Sequence, residues 1–411
     1  MLKKFLIPVI IFVIIAGALG AYFFFLQNKN PNNTFFGDLF PFGQGPDLGN
    51  GSTVTESGGE NGNGNEEANI LPAPQIRKIT GEQVAGVTLI DAASTTVIRY
   101  IERGTGHIYE ADALTLALKK ISNTTIPKIY EALWTGKGDS VILRYLKDDN
   151  ETIETFYAKL SKNSISGADG NSVSDLEGSF LQTDIREIAV SPDKNSIFSL
   201  VASVTSGSGV ISRPDGTQKQ TFPLPLKEWV VSWPTQDTVL LTTKPSAEVG
   251  GYVYTFNTST GELGKITGEV GGITASADQS LNYLLYSESK QKSFFLNLLN
   301  IADKTITRSP SQTLPEKCVW SKKEKSVIYC AVPKTIPSND YPDAWYQGIV
   351  SFSDKILKID FENNTTSVIA DTKEAVGEEV DAVSLSLNAE ENYLVFLNKK
   401  DSSLWGIQIT P

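Results

Sequence analysis

Histidine and cysteine are nearly absent from this sequence of 411 residues, which contains one His and two Cys. The single imidazole, His107, cannot form a His-rich metal site, and no motif around it supports a Ser-His-Asp triad. A phosphate-binding loop, a dinucleotide fingerprint and a Cys-x-x-Cys pair are also missing from the sequence. We therefore predict no metal ion, no cofactor and no identifiable catalytic residue.

Basic residues are outnumbered: 36 Lys and Arg face 47 Asp and Glu, which gives a net charge of −11. Nucleic acid requires a basic face, so we exclude it as a partner. The Arg residues do not cluster along the sequence, which argues against an arginine-cradled carboxylate site. Carboxylate pairs remain the one enzymatic option, because glycosidase-like chemistry needs two acids across a cleft, but 47 acids leave the pair unidentified.

Charge is missing altogether from residues 5–26, an apolar run of 22 residues. A helix of that length is about 33 Å long and can cross a bilayer. Lys3 and Lys4 precede the run, so the positive-inside rule predicts a cytoplasmic amino terminus and an extracytoplasmic remainder. A cleaved signal peptide is the alternative, since residues 16–18 (Ala-Gly-Ala) resemble a cleavage site. We predict a single-pass membrane anchor over residues 1–26.

Residues 27–74 have no apolar periodicity and are rich in Gly, Asn, Pro and Ser. Such a segment cannot bury enough surface to offset the entropy of ordering the chain, so we predict a flexible linker. Four phenylalanines stand out in it and have two alternatives, resting at the membrane interface or docking on the folded domain: Phe35, Phe36, Phe40 and Phe42.

Residues 75–411 are dominated by short apolar strands between turn residues. Residues 185–200 are the clearest example, with two strands around a Ser-Pro-Asp-Lys-Asn turn in which Pro192 pre-sets φ. The same hairpin pattern recurs, and four of the six intervals between copies are 42–45 residues long. The residues just before the turns are Ile90, Trp134, Val190, Trp233, Ala275, Trp320 and Leu387.

A period of 40–45 residues with about four strands per unit is typical of a β-propeller. Seven copies predict an all-β, seven-bladed propeller over residues 75–411, attached to the anchor and the linker. The last copy supplies only three strands, and residues 75–80 form an orphan strand before the first copy. We predict that the orphan strand completes the last blade, since an unclosed ring leaves unpaired strand edges. An irregular β domain is the alternative.

A family resemblance rests on these turns. The Ser-Pro-Asp-Lys of residues 191–194, with weaker relatives at 276–279 (Ser-Ala-Asp-Gln) and 387–392 (Leu-Asn-Ala-Glu-Glu-Asn), resembles the turn of TolB-like and WD-repeat-like propellers. The Trp-Asp and Gly-His pairs of WD repeats and the Asp boxes of sialidases are missing. The resemblance implies a propeller scaffold and leaves the activity open.

Both cysteines lie in the sixth hairpin. If Trp320 pairs with Ile328, the register places Cys318 opposite Cys330, close enough for a disulfide at a non-hydrogen-bonded pair. An extracytoplasmic location would let the bond form. We predict this disulfide; two buried thiols are the alternative if the register slips by one residue.

Residues 332–353 form a long insertion in the same unit and carry Tyr341, Trp345 and Tyr346. Rigid aromatic side chains on a loop suit a binding surface, so we predict that these three contact a partner. The alternative is that they fold back as a plug over the central channel. The other long interval, residues 161–178, is polar and we expect it to be flexible.

Three functional hypotheses follow. The preferred one is a membrane-tethered, extracytoplasmic propeller that binds a protein or a glycan. The second is an extracytoplasmic hydrolase or lyase that uses carboxylates at the channel. The third is a structural envelope component without a small-molecule site.

Overall fold

The computed structural model describes residues 76–92, 95–166, 172–203 and 206–409. The predicted anchor and the predicted linker lie outside these residues. Within the described ranges, no helix is long and apolar enough to cross a membrane.

The described chain is almost entirely β-structure. In chain order its first strands are β1 (Ile76–Thr80), β2 (Val84–Asp91), β3 (Thr96–Glu102), β4 (Ile108–Asp112), β5 (Leu118–Ser122), β6 (Ile129–Thr135), β7 (Ser140–Leu146), β8 (Ile153–Ser166), β9 (Ser172–Phe180), β10 (Ile185–Val190), β11 (Ile197–Ala202), β12 (Gly207–Ser212), β13 (Gln220–Leu224) and β14 (Trp229–Thr235). They are followed by β15 (Thr238–Thr243), β16 (Gly250–Asn257), β17 (Leu263–Gly271), β18 (Ala275–Ala277), β19 (Tyr283–Lys290), β20 (Ser293–Asn300), β21 (Ile306–Arg308), β22 (Cys318–Trp320), β23 (Val327–Pro333), β24 (Asp354–Asp360), β25 (Thr365–Asp371), β26 (Ala382–Leu387), β27 (Tyr393–Asn398) and β28 (Leu404–Gln408). The helical elements assigned in the same residues are α1 (Asp343–Tyr346), α2 (Thr372–Val376) and a 3-10 turn at Pro315–Lys317.

The described strands form five four-stranded sheets and one eight-stranded sheet. Four sheets are simple antiparallel meanders: β10–β13, β14–β17, β18–β21 and β22–β25. The eight-stranded sheet contains two further meanders, β2–β5 and β6–β9, joined by one parallel bridge between Ser122 and Ser174. This succession of meanders is the arrangement of a β-propeller, and it confirms the predicted all-β class.

The remaining four-stranded sheet joins the two ends of the described chain. Its strand order is β1-β28-β27-β26, and Ile76 pairs with Ile407 in an antiparallel ladder. The sequence predicts this closure, because the last repeat supplies three strands and the orphan strand supplies the fourth. Hydrogen bonding between β1 and β28 covers an edge that would otherwise be open.

The turn between β10 and β11 shows why its sequence forms a hairpin. The Ser191 hydroxyl donates to Asp193 Oδ1 at 2.6 Å, and the same oxygen accepts the Asn195 amide at 3.1 Å. Val190 pairs with Ile197 before the turn. The side chains of the turn therefore satisfy its own backbone donors.

Two predicted turn positions are wrong by two residues: in the fourth hairpin the last paired residue before the turn is Thr235 and not Trp233. In the fifth hairpin Ala277 pairs with Leu284, so the residue before the turn is Ala277 and not Ala275. Asp278 opens this turn and accepts the amides of Ser280 and Tyr283. Asp278 therefore occupies the turn position that Ser191 occupies in the third hairpin, so Ser-Ala-Asp-Gln does not align with Ser-Pro-Asp-Lys.

The expectation for residues 161–178 also needs correction. Much of this interval belongs to β8 and β9, whose ladder pairs Leu160 with Leu176 and Ser164 with Ser174. A two-stranded ladder satisfies the backbone groups whatever the side chains are, so polar composition did not prevent strand formation.

The core is divided among the spaces between neighbouring sheets. Phe198 of β11 and Phe256 of β16 lie with ring centroids 5.4 Å apart and share a buried cluster. Leu285 of β19 and Ile328 of β23 belong to another cluster of the same kind.

Candidate functional site

The predicted aromatic binding surface lies mostly in the core. Tyr341 is fully buried and Trp345 is 3% exposed, whereas Tyr346 is 43% exposed. Tyr341 and Trp345 pack in a cluster with Phe294 and Phe352. Of the three aromatics, Tyr346 alone presents surface to a partner, and the other two fold inward.

Trp345 turns inward because its indole N–H has a buried acceptor. It donates to Asp381 Oδ2 at 3.0 Å, and the Lys317 ammonium lies 5.4 Å from the centre of its ring. Lys317 bonds to Asp381 Oδ1 at 2.5 Å and to Asp354 Oδ2 at 2.8 Å. All three charged side chains are fully buried. We call Lys317, Asp354 and Asp381 the closed ion cluster.

The two carboxylates of the closed ion cluster have different environments. Burial raises the pKa of Asp354 to about 6, against the attraction of Lys317. Burial acts on Asp381 in the same direction, but Lys317 and the donors Phe352 N–H and Trp345 outweigh it, so its pKa falls below the ordinary value. This cluster ties the aromatic insertion to the starts of β24 and β26.

Tyr346 has a partner of its own. Its hydroxyl donates to Glu316 Oε1, and Thr274 Oγ1 donates to Glu316 Oε2 at 2.8 Å. Burial raises the pKa of both Tyr346 and Glu316, and the Glu316 charge raises that of Tyr346 further. Tyr346 therefore stays protonated and acts as a hydrogen-bond donor.

The second charged region is an open cavity of about 530 Å³. We call it the arginine cavity; its charged lining residues are Arg103, Arg144, Arg186, Lys399, Glu131 and Glu187, and its neutral ones are Val84, Ala85, Tyr130, Ile153, Val383, Ser384, Leu397, Asn398 and Ser402. Three arginines from three separate places in the sequence meet here. These arginines do not cluster along the sequence; they meet because Arg103 directly follows β3, Arg144 lies in β7 and Arg186 lies in β10.

A repeated β-bulge builds the wall of this cavity. The ladder register shifts near the start of β2, β6, β10 and β26, and the residues left outside the ladder there are Ala85, Tyr130, Arg186 and the pair Ser384 and Leu385. Bulges redirect side chains, and Ala85, Tyr130, Arg186 and Ser384 line the cavity. Tyr130 and Arg186 each lie four residues before the residue that precedes the turn, so aligned repeats carry a signal for them.

Two of the arginines are held rigidly by the protein. Arg144 is 4% exposed, forms an ion pair with Glu131 and donates to the carbonyls of Ile185 at 2.6 Å and Arg186 at 3.0 Å. Arg103 donates to the carbonyls of Ile129 and Tyr130 and to Ser402 Oγ, at 3.2, 3.1 and 3.0 Å. These bonds join neighbouring meanders and fix the charges in place.

Lys399 connects the cavity to the aromatic insertion. Its ammonium donates to the carbonyl of Trp345 at 2.8 Å and lies 5.1 Å from the centre of the indole ring. Burial lowers its pKa, against the attraction of Asp381.

Arg186 and Glu187 differ from the other charged groups of the cavity. Neither side chain forms a hydrogen bond or ion pair within the described residues, and Arg186 is exposed. Burial raises the pKa of Glu187 to about 7, opposed by Arg144 and reinforced by Glu131. An unpartnered acid and an unpartnered guanidinium therefore lie next to each other on the bulge of β10.

The other predicted residues take structural positions. Cys318 pairs with Cys330 in the β22–β23 ladder, and the two form a disulfide with Cα atoms 4.1 Å apart. His107 accepts from Lys120 at 3.2 Å, and burial together with the Lys120 charge lowers its pKa. In the described part of the chain, no three His, Cys, Asp or Glu side chains are grouped so that they could hold a metal ion.

Comparison with known proteins identifies the fold and nothing finer. No family model matches the chain, and no curated protein matches it. The oligogalacturonate lyase of Vibrio parahaemolyticus is similar in structure, with a TM-score of 0.53 and 8% identity over 82% of this chain and 94% of that one.

Two further solved structures are less similar. The β-propeller domain of the trilobed protease from Pyrococcus furiosus has a TM-score of 0.49 and 11% identity over 81% of this chain and 97% of that one. TolB from Acinetobacter baumannii has a TM-score of 0.41 and 10% identity over 68% of this chain and 61% of that one. At such identities structural similarity concerns the fold alone. The β-propeller fold implied by the TolB-like resemblance is confirmed.

Proposed function

We propose that this chain is a membrane-tethered, seven-bladed propeller that binds a protein or glycan ligand outside the cell. In this proposal residues 1–26 anchor the chain, residues 27–74 are the linker and residues 75–411 form the propeller. The seven blades are the five four-stranded sheets together with the two meanders of the eight-stranded sheet, which share a single bridge.

The arginine cavity is the observation that supports a binding function. Its volume of about 530 Å³ lies within the usual range for ligand sites, roughly 300–1,000 Å³. The bulges of β2, β6, β10 and β26 form part of its wall, and the rigid guanidinium groups of Arg103 and Arg144 stand beside Arg186 and Glu187, whose side chains have no partner within the described ranges.

Site-specific photocrosslinking tests the binding function. A photoreactive amino acid replaces Ser384, an exposed residue of the cavity, in the full chain expressed in its own cells. The control replaces Ser367, an exposed residue on the outermost strand β25. We expect a specific protein or glycan adduct from position 384 and none from position 367. Equal or absent adducts at both positions would count against the proposal and favour a purely structural role.

The proposed topology is tested separately. Protease added to intact cells should release a soluble fragment that begins within residues 27–74. If the propeller is protected until the cells are lysed, the extracytoplasmic location is wrong.

A second candidate function is an extracytoplasmic hydrolase or lyase. Glu131 and Glu187 line the same cavity, and a carboxyl with a pKa of about 7 suits general acid–base catalysis. The similar fold of an oligogalacturonate lyase suggests oligogalacturonate as a first substrate to try. Unsaturated product formed by the full chain and lost in Glu187→Gln would favour this function, whereas an absence of turnover would favour a binding module.

A further inference from the structure

The arginine cavity has a cationic excess although the protein as a whole is acidic. Four of its lining side chains are basic and two are acidic, in a chain of net charge −11. Arg103 and Lys399 donate to protein oxygens, and Arg144 forms an ion pair with Glu131. Arg186 and Glu187 are left as the charged groups that a ligand can engage directly.

We propose that the cavity binds an acidic oligosaccharide and holds one of its carboxylates between the Arg186 guanidinium and the Glu187 carboxyl. This inference rests on the proposed binding function and names its ligand class. A guanidinium presents parallel N–H donors that match the two oxygens of a carboxylate. Arg103 and Arg144 add a fixed positive potential behind that contact.

The neutral wall of the cavity favours a sugar ring over a peptide. Partly exposed apolar side chains, Ile153, Val383 and Leu397, line it together with hydroxyl groups such as those of Ser384 and Ser402. A sugar ring has one apolar face and a rim of hydroxyl groups, so it can pack on the first set and hydrogen-bond to the second. An acidic peptide would use the same cations, but an extended peptide backbone has no apolar face with a rim of hydroxyl groups.

The protonation state of the Glu187 carboxyl makes the binding affinity depend on pH. The charged and titratable groups that act on it are Arg144, Glu131 and Lys244, and it acts in turn on Tyr346. When Glu187 is ionised it repels a ligand carboxylate, and when it is protonated it can donate an O–H to that carboxylate. Since its pKa is about 7, protonation falls roughly tenfold between pH 6 and pH 8, and affinity should fall by a similar factor.

The test measures binding to the purified full chain in detergent micelles by calorimetry. The probes are a tetramer of a hexuronic acid, a neutral hexose tetramer of the same linkage and a tetraglutamate peptide. We expect the uronic acid tetramer to bind at least tenfold more tightly than either of the other two, and about tenfold more tightly at pH 6 than at pH 8.

Three variants distinguish the loss of a direct ligand contact from the loss of the folded state. Arg186→Ala should weaken binding of the uronic acid tetramer at least tenfold, whereas the control Arg213→Ala, at an exposed arginine outside the cavity, should leave it unchanged. Glu187→Gln should keep binding and remove its pH dependence. Thermal melting confirms that each variant is folded before it is titrated.

Two results would overturn the inference. One is equal binding of the neutral tetramer or of tetraglutamate, and the other is full binding by Arg186→Ala. If either occurs while position 384 still gives a specific adduct in cells, the ligand class is wrong and the binding function stands. If that adduct is also absent, both proposals fail.

Discussion

The closed ion cluster and the arginine cavity both hold charged side chains near the beginning of the first strand of a sheet or meander. They differ in how those charges are paired. Lys317 directly precedes β22 and Asp381 directly precedes β26, while Glu131 and Glu187 lie near the starts of β6 and β10. In the closed cluster the Lys317 ammonium has three acceptors and no exposed surface. In the cavity, Glu187 is partly buried but has no partner among the described groups.

The difference separates charges that are paired within the protein from charges that are left for the ligand we propose. A buried charge without a partner is costly, whereas a paired one holds its surroundings in a single arrangement. The closed cluster fixes the aromatic insertion through Trp345. The cavity keeps one carboxyl at a raised pKa, which lowers the stability of the free protein but leaves a group that a ligand can use.

Breaking the closed cluster should have the largest effect. Lys317→Met leaves two buried carboxylates without their cation, and we expect the free energy of unfolding to fall by about 3–5 kcal/mol. Chemical denaturation at pH 8 measures it. The control is Lys355→Met, which removes a partly exposed partner of Asp371 and should cost less than about 1 kcal/mol. Equal losses in the two variants would show that the cluster is not the special element we describe.

Arg144→Met tests the rigid part of the cavity. The substitution removes an ion pair with Glu131 and two charge-assisted bonds to backbone carbonyls, so we expect a loss of about 2 kcal/mol in the free energy of unfolding. Arg308→Met, which breaks an exposed pair with Glu288, is the matched control. A loss as large as that of Lys317→Met would remove the contrast between the two regions.

Glu187→Gln should stabilise the protein. The folded state raises the pKa of Glu187 from its ordinary 4.5 to about 7, so wild-type stability falls as the pH rises through that interval. The side-chain amide of the Glu187→Gln variant does not ionise, so the variant does not lose stability in this way. We expect a gain of about 1–2 kcal/mol in the free energy of unfolding at pH 8 and almost none at pH 5. Glu228→Gln, at an exposed ion pair with Lys244, should show no such pH-dependent gain.

Arg186→Ala should have the smallest effect on stability. Its side chain is exposed and has no protein partner among the described residues, so the free energy of unfolding should change by less than about 0.5 kcal/mol. A larger change, measured by the same denaturation, would mean that Arg186 supports the fold and is not reserved for a ligand.

The sequence was sufficient for local and periodic features. Pro192 and Asp193 predict the hairpin, the spacing of its copies predicts the meanders, and the register of the sixth hairpin predicts that Cys318 faces Cys330. The three-stranded last repeat predicts that β1 pairs with β28. Each of these depends on neighbours in sequence or on a regular period.

The candidate site could not be predicted in the same way. Arg103, Arg144 and Arg186 belong to three different meanders, and their meeting depends on how the sheets pack. Trp345 was expected on the surface because a long loop usually is, but its indole N–H finds Asp381, which lies far from it in the sequence. The bulges that place Tyr130 and Arg186 in the cavity leave one weak signal in the sequence. Both residues occupy the same position within the repeat.

The pairing of β1 with β28 has a consequence for the timing of synthesis. Ile76 is one of the first residues of the propeller to leave the ribosome, and its partner Ile407 is among the last. Until β28 has been synthesised, β1 has no partner strand, and the sheet that joins the two ends of the described chain cannot form. The nascent chain therefore carries an unsatisfied strand throughout translation, and a ribosome that stalls late leaves an open ring with a free edge for aggregation.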